Sequence, residues 1–177
     1  LVLRQAGALT LHDIAPDGRV LLSQDYTRIG LVGLDRSQGR ERDLSWLDWS
    51  LASDLSSDGR RVIFTELGTG TGGRYTVYMR GTDGSPAVRL GEAWAAGLSG
   101  DGKWVLGMAR EPASGLVLLP TGAGDARTLE RGPIQNFRGA AWFPDGRRVL
   151  MAGDEPGHGT RLYVQDLGGG APRLVGP

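Results

Sequence analysis

The sequence predicts an all-β chain built from four-stranded antiparallel repeats of about 42 residues, and three observations predict it. Glycine accounts for 30 of 177 residues and proline for 9, too dense for long helices, while 40% hydrophobic content is too high for disorder. An Asp-Gly pair recurs at Asp17-Gly18, Asp58-Gly59, Asp101-Gly102 and Asp145-Gly146, at intervals of 41, 43 and 44 residues. After each pair comes a basic residue (Arg19, Arg60, Lys103, Arg147) and then an apolar, β-rich run. Self-similarity at that period marks a propeller blade or a helical array, and a tight Asp-Gly turn between β-runs selects the blade.

The elements follow in order. "HDIAPDGRVLL" from His12, "SDLSSDGRRVIF" from Ser53, "AGLSGDGKWVLG" from Ala96 and "AAWFPDGRRVLM" from Ala140 each hold a first strand, the turn and a second strand. Third strands read "IGLVGL", "YTVYMR", "GLVLLP" and "RLYVQDL". Fourth strands read "ERDLSW", "AVRLGE", "ARTLER" and "PRLVGP". The blades therefore span 12–46, 53–93, 96–132 and 140–177 within a single domain, and "LVLRQ" at 1–5 stands where the last strand of a preceding blade belongs. That orphan strand, with no Met or signal-peptide layout at the start, reads as part of a larger propeller. Four blades alone would bare apolar faces and strand edges, so a homodimer through open blade edges is the other expectation.

The P/S-D-G-R/K turns followed by β-runs resemble the WD-like TolB propeller repeat of bacteria, at all four turns and over essentially the whole chain. The wording "RDLSWLDWS…DLSSDGRRVIF…SPAVRLGE…LSGDGKWVL" also resembles propeller regions attached C-terminally to bacterial serine/threonine kinases. The resemblance implies a β-propeller module of a larger bacterial signalling or envelope protein, with a lean to the periplasm or cell exterior. No kinase Gly-rich loop, H-R-D loop or D-F-G is present, so kinase activity does not carry over to these residues.

Composition narrows the function classes. Twenty basic and twenty acidic residues balance, so no net field draws the chain to nucleic acid or an anionic membrane. Cysteine is absent, which removes disulfides, thiolate metal sites and a cysteine nucleophile. No apolar run reaches the roughly 18 residues of a membrane span. "LGTGTGGRYTVY" (67–78) contains G-x-G-x-x-G at Gly68, Gly70 and Gly73, but "RYTVYMR" after it alternates as a strand rather than opening a helix. These glycines read as a hairpin loop, not a dinucleotide site. The Asp-Gly turns differ from a sialidase Asp-box in having adjacent Asp and Gly and no following Thr-Trp. A Ser-His-Asp triad is hard to assemble from two scattered histidines without a G-x-S-x-G elbow.

Propeller function sits at one mouth of the central channel, where second-to-third loops and blade connections meet. The connection "DLSWLDWSLASD" therefore offers Trp46, Asp48 and Trp49 as rim residues for a protein or small polar ligand; packing of both Trp between blades is the alternative. Glu92 and Trp94 occupy the next connection, and Phe137 and Arg138 the one after. His12, Asp13 and Asp54 are channel candidates, because Asp13 and Asp54 align four residues before their turns. The other repeats place Gly97 and Ala141 there, so no ring of metal ligands is completed, and no cofactor is expected. Trp142 aligns with Ile14, Leu55 and Leu98 and reads as core; His158 reads as surface. The leading expectation is a non-catalytic binding or sensing module. A propeller hydrolase or lyase using channel carboxylates, and a structural module that dimerises, are the alternatives.

Overall fold

The structure, a computed structural model, describes residues 8–35, 39–110 and 115–176, so the strand expected at 1–5 lies outside the described residues. Sixteen strands run along the described chain, interrupted only by a single 3-10 turn at Thr69–Thr71. The second repeat forms one antiparallel sheet of β5 (Ser50–Leu55), β6 (Arg61–Glu66), β7 (Thr76–Gly81) and β8 (Val88–Glu92), paired in that order. The third does the same with β9 (Trp94–Leu98), β10 (Trp104–Ala109), β11 (Gly115–Pro120) and β12 (Arg127–Thr128). The fourth uses β13 (Asn136–Trp142), β14 (Arg148–Glu155), β15 (Gly159–Asp166) and β16 (Arg173–Leu174).

The first repeat departs from the expected four-stranded sheet. Its residues form two separate hairpins, β1 (Ala8–Ile14) with β2 (Val20–Asp25), and β3 (Val32–Asp35) with β4 (Arg40–Asp43). The second hairpin is tied to the second repeat by a parallel bridge between Ile29 and Trp49. The first has both its strands largely exposed. A two-stranded hairpin whose strands stay this exposed gains little from burial, so its pattern of apolar residues does not by itself enforce a blade.

The Asp-Gly turns work as side-chain caps. Asp58 accepts from the Arg60 amide (3.0 Å) and the Ser56 hydroxyl (2.6 Å), while Gly59 takes φ 69° and its amide returns to the Ser56 carbonyl (2.8 Å). Asp101 repeats this with Lys103 and Ser99, and Asp145 with Arg147. Asp17 accepts from the Arg19 amide at 3.1 Å, beside Gly18 at φ 86°. The carboxylate offers the turn an acceptor and the glycine a left-handed backbone without steric cost, so the pair closes the hairpin from local chemistry alone.

Alternation then sorts each sheet's side chains between its two neighbours. Phe64 and Val62 look back towards the first repeat and pack with Leu44, Leu31 and Tyr78. Ile63 and Val77 look forward and pack with Ala95, Leu98 and Val105 of the third sheet. Leu106, Leu116 and Leu118 of that sheet meet Val149, Met151 and Tyr163 of the fourth. First strands pack side by side, β5 against β9 and β9 against β13, as strands lining a channel do. Trp142 joins the core between the third and fourth sheets, and Trp104 packs there with the Arg127 guanidinium 4.7 Å over its ring.

Candidate functional site

The mouth opposite the Asp-Gly turns is built by blade connections meeting second-to-third loops. The glycine loop joins β6 to β7 in antiparallel register, with Glu66 opposite Thr76, and holds only the 3-10 turn Thr69–Thr71, so a strand and not an α-helix follows Gly68, Gly70 and Gly73. That loop lies against the connection: the Leu67 amide donates to the Trp49 carbonyl at 3.3 Å.

A buried carboxylate shapes the connection. Glu66, at the end of β6, is wholly buried and accepts from the amides of Leu47 (3.0 Å) and Trp49 (3.2 Å) and from the Ser50 hydroxyl. Arg80 is buried beneath the same segment and donates to the carbonyls of Leu44 and Ser45, both at 3.0 Å, and to Gly84 and Ser85. Trp46 lies exposed over it, its ring 5.7 Å from the guanidinium carbon. Asp48 accepts from the Tyr26 hydroxyl at 2.9 Å, which raises the Tyr26 pKa because the neutral phenol is the donor. Trp49 is half-buried and its indole donates to the Thr27 carbonyl at 3.0 Å. Thus Trp46 faces solvent and Trp49 bridges the two hairpin regions.

The next connection forms the second cluster. Glu92 receives Arg74 at 3.0 Å and Arg89 at 3.1 Å. Trp94 packs edge-on against Tyr75 with ring centroids 5.2 Å apart, and Arg110 lies 5.0 Å over the Tyr75 ring. Between them opens a pocket of about 190 Å³, lined by Gly73, Arg74, Tyr75, Glu92, Ala93 and Arg110. Tyr75 and Arg110 are functional candidates that the repeat alignment does not single out, since each closes a loop side rather than a connection.

The third cluster is electrostatic. Arg138 pairs with Asp154 at 2.6 Å, and Thr160 donates to the same carboxylate at 2.6 Å. These hydrogen bonds, Arg138 first, hold Asp154 below the usual carboxylate range. Glu155 is lowered chiefly by the Tyr163 hydroxyl (2.5 Å), which is raised in return; Arg161 adds an ion pair at 3.1 Å, and His158 contacts Arg161 at 3.0 Å. Phe137 turns inward and packs on the core.

Of the residues expected at the channel, Asp54 bonds across to the next sheet, while Asp13 and His12 bond within their own hairpin. Asp54 accepts from its neighbour Leu55 at 2.7 Å and, across the blade boundary, from the Leu98 amide at 2.8 Å. The Trp142 indole makes the corresponding contact from the fourth sheet, donating to the Gly97 carbonyl at 3.1 Å. Asp13 makes the same local bond to Ile14 (2.8 Å), and His12 meets the Ser23 hydroxyl at 2.8 Å. A bulge in each of the first two first strands falls at His12 and Ser53 and re-aims the aspartate after it. Among the described residues no group of three or more His, Asp or Glu side chains is arranged to hold a metal ion.

A larger cleft of about 780 Å³ separates β3–β4 from the second sheet, floored by Leu44, Leu55 and Val62. It follows from the split first repeat, because β2 does not pair with β3 to fill that space.

No protein-family model matches the chain, and no curated protein matches it. Among solved structures it is similar to a TolB from Agrobacterium tumefaciens, with TM-score 0.67 and 17% identity over 91% of this chain and 62% of that one. It is similar also to TolB from Acinetobacter baumannii, with TM-score 0.64 and 17% identity over 85% and 41%. An acylaminoacyl peptidase from Pyrococcus horikoshii matches at TM-score 0.52 and 18% identity over 72% of this chain and 24% of the peptidase. The fold is therefore a TolB-like β-propeller fold, and the chain spans between 41% and 62% of the length of those TolB structures.

Proposed function

We propose that the chain is a non-catalytic binding module of a larger bacterial signalling or envelope protein, and that its rim takes an acidic segment of a partner protein or a small carboxylate-bearing ligand. The observation that carries this reading is the pocket between Tyr75, Arg74, Glu92 and Arg110, with Trp94 packed against Tyr75 at its edge. Arg74 is paired with Glu92, so the Arg110 guanidinium, stacked on the Tyr75 ring, is the group that would meet a planar carboxylate, offering it paired donors where the ring excludes water. The TolB-like fold supports a module of this kind. The alternative, a hydrolase or lyase driven by channel carboxylates, gains no support from Asp54, whose oxygens are engaged by the Leu55 and Leu98 amides.

Titration of the chain with short acidic, neutral and basic peptides, read by tryptophan fluorescence, tests the proposal. Saturable binding by acidic peptides that is lost in Arg110→Ala and Trp94→Ala supports it. Equal responses to all three charge classes, or none to any, overturn it.

A further inference from the structure

The cleft of about 780 Å³ between β3–β4 and the second sheet is an unfilled copy of an interface that the chain completes one repeat further on. There Ile63 is wholly buried in a cluster with Val77, Leu98 and Val105, and Leu90 packs against the same cluster. The third and fourth strands align Leu31 with Val77 and Leu44 with Leu90, and Leu55 pairs with Val62 as Leu98 pairs with Val105. Those four counterparts, Leu31, Leu44, Leu55 and Val62, all line the cleft. The place of Ile63 belongs to Leu21, because Leu21 pairs with Asp13 as Ile63 pairs with Asp54. Yet Leu21 is 62% exposed, and Leu55 is 54% exposed where Leu98 is 9% exposed. The seat is built, and the side chain that fits it stands outside.

The strand edges are in phase as well. Antiparallel strands alternate hydrogen-bonded and non-hydrogen-bonded pairs. The Leu44 amide donates to the Leu31 carbonyl at 2.7 Å, so in the β3–β4 register Gly33 bonds to β4 while Val32 and Leu34 turn their N–H and C=O groups to the opposite edge. Among the described residues no strand pairs with that edge. The Ala15 amide donates to the Arg19 carbonyl at 2.8 Å, so Val20, opposite Ile14, turns its own N–H and C=O away from β1. In the second repeat the Thr82 amide donates to the Arg60 carbonyl at 2.9 Å, and the same alternation joins Val62 to Arg80 and Phe64 to Tyr78.

We infer that the β1–β2 hairpin is a strap that closes on this cleft: β2 pairs with the open edge of β3, Val20 opposite Leu34 and Leu22 opposite Val32, and Leu21 enters the seat lined by Leu31, Leu55 and Val62. Residues 26–31 join the two strands, a longer span than the 156–158 loop through which β14 turns back onto β15, so the linker permits the turn. Its hinge is anchored, since Tyr26 donates to Asp48 at 2.9 Å and the Trp49 indole donates to the Thr27 carbonyl at 3.0 Å. Pairing two bare strand edges and burying Leu21 and Leu55 both favour the closed form. The open form presents the cleft and the β3 edge to other molecules; in the closed form the chain itself occupies both. Closure is independent of what the rim binds.

The sequence has no cysteine, so introduced thiols report this approach alone. Val20→Cys with Leu34→Cys, both at exposed positions, is expected to form a disulfide within one chain at least about tenfold faster than Leu9→Cys with Leu34→Cys, which the closed register holds two strands apart. Adding Leu21→Asp, at a position exposed in the open form, is expected to remove that preference, and Leu21→Ile to keep it. Equal rates for the two pairs, links only between chains or none at all, or a preference that survives Leu21→Asp overturn the inference. If the paired cysteines disturb the native circular dichroism, hydrogen exchange replaces them: the amides of Val20, Val32 and Leu34 are expected to exchange at least about tenfold more slowly in the wild type than in Leu21→Asp. Equal exchange in the two overturns the inference.

Discussion

Replacing Glu66 by Ala is the sharpest probe of how the rim is held. The carboxylate is wholly buried and is the acceptor for two backbone amides, Leu47 and Trp49, and for the Ser50 hydroxyl. Hydrogen bonds to a charged acceptor contribute about 1.5–3 kcal/mol each, but the losses overlap, because Leu47 and Trp49 are half-buried and water can reach part of the vacated space. A net loss of about 3–5 kcal/mol is expected, a large share of the roughly 5–15 kcal/mol that stabilises a typical domain. Glu66→Gln keeps the shape and one acceptor oxygen and is expected to lose about 1–2 kcal/mol. Urea unfolding followed by tryptophan fluorescence measures both, with Trp46 and Trp49 reporting the connection directly. In a Glu66/Ser50 double-mutant cycle, Ser50→Ala should cost less once Glu66 is gone, the remaining cost being the bond its hydroxyl accepts from the Trp46 amide at 2.9 Å. An alanine variant within about 0.5 kcal/mol of wild type would refute the claim that this carboxylate organises residues 46–50.

Three further outcomes follow from the same geometry. Asp54→Ala strands the buried Leu98 amide and is expected to cost about 1–3 kcal/mol in urea unfolding, with Asp13→Ala costing less because, among the described residues, Asp13 makes only the local bond to Ile14. Gly59→Ala meets nothing within 4 Å yet carries φ +69°, so its expected loss of about 1–2 kcal/mol is pure backbone, whereas Gly100→Ala, in open space without a positive φ, should be neutral or slightly stabilising in the same assay. Asp58 and Asp101 are held below the usual carboxylate range, chiefly by the Ser56 and Ser99 hydroxyls. A lowered folded-state pKa gives stability that is full above the unfolded carboxylate's pKa and is lost as pH falls through the folded value. Melting temperature should therefore drop on the acid side, and Ser56→Ala with Ser99→Ala should flatten that drop.

Much of the fold was legible because its signals are local. Asp-Gly turns at Asp58, Asp101 and Asp145 close through bonds within a few residues, and alternation in "RRVIF" and "RRVLM" assigns Val62 and Ile63, or Val149 and Leu150, to opposite faces before any partner is known. The same locality identified the glycine loop as a hairpin. The rim was legible only as positions. Alignment put Trp46, Trp49, Glu92, Trp94 and Arg138 near one mouth, but Tyr75 and Arg110 come from strand ends whose neighbours in space are more than fifteen residues away in sequence, and no spacing records them.

The repeat, its turns and the alternation that gives each strand two faces can be read from the residues alone, since they depend on backbone chemistry within one hairpin. What each face meets depends on packing between sheets and appears first in the folded chain. The tertiary structure set Glu66 and Arg80 beneath the Trp46 connection and joined Asp54 to the Leu98 amide of the next sheet. It also left the first repeat as two hairpins while three like it became sheets. Burial is a property of pairs of surfaces: Val20 and Val62 occupy the same place in the strand register, and Val62 is buried against the first repeat while Val20 is 50% exposed.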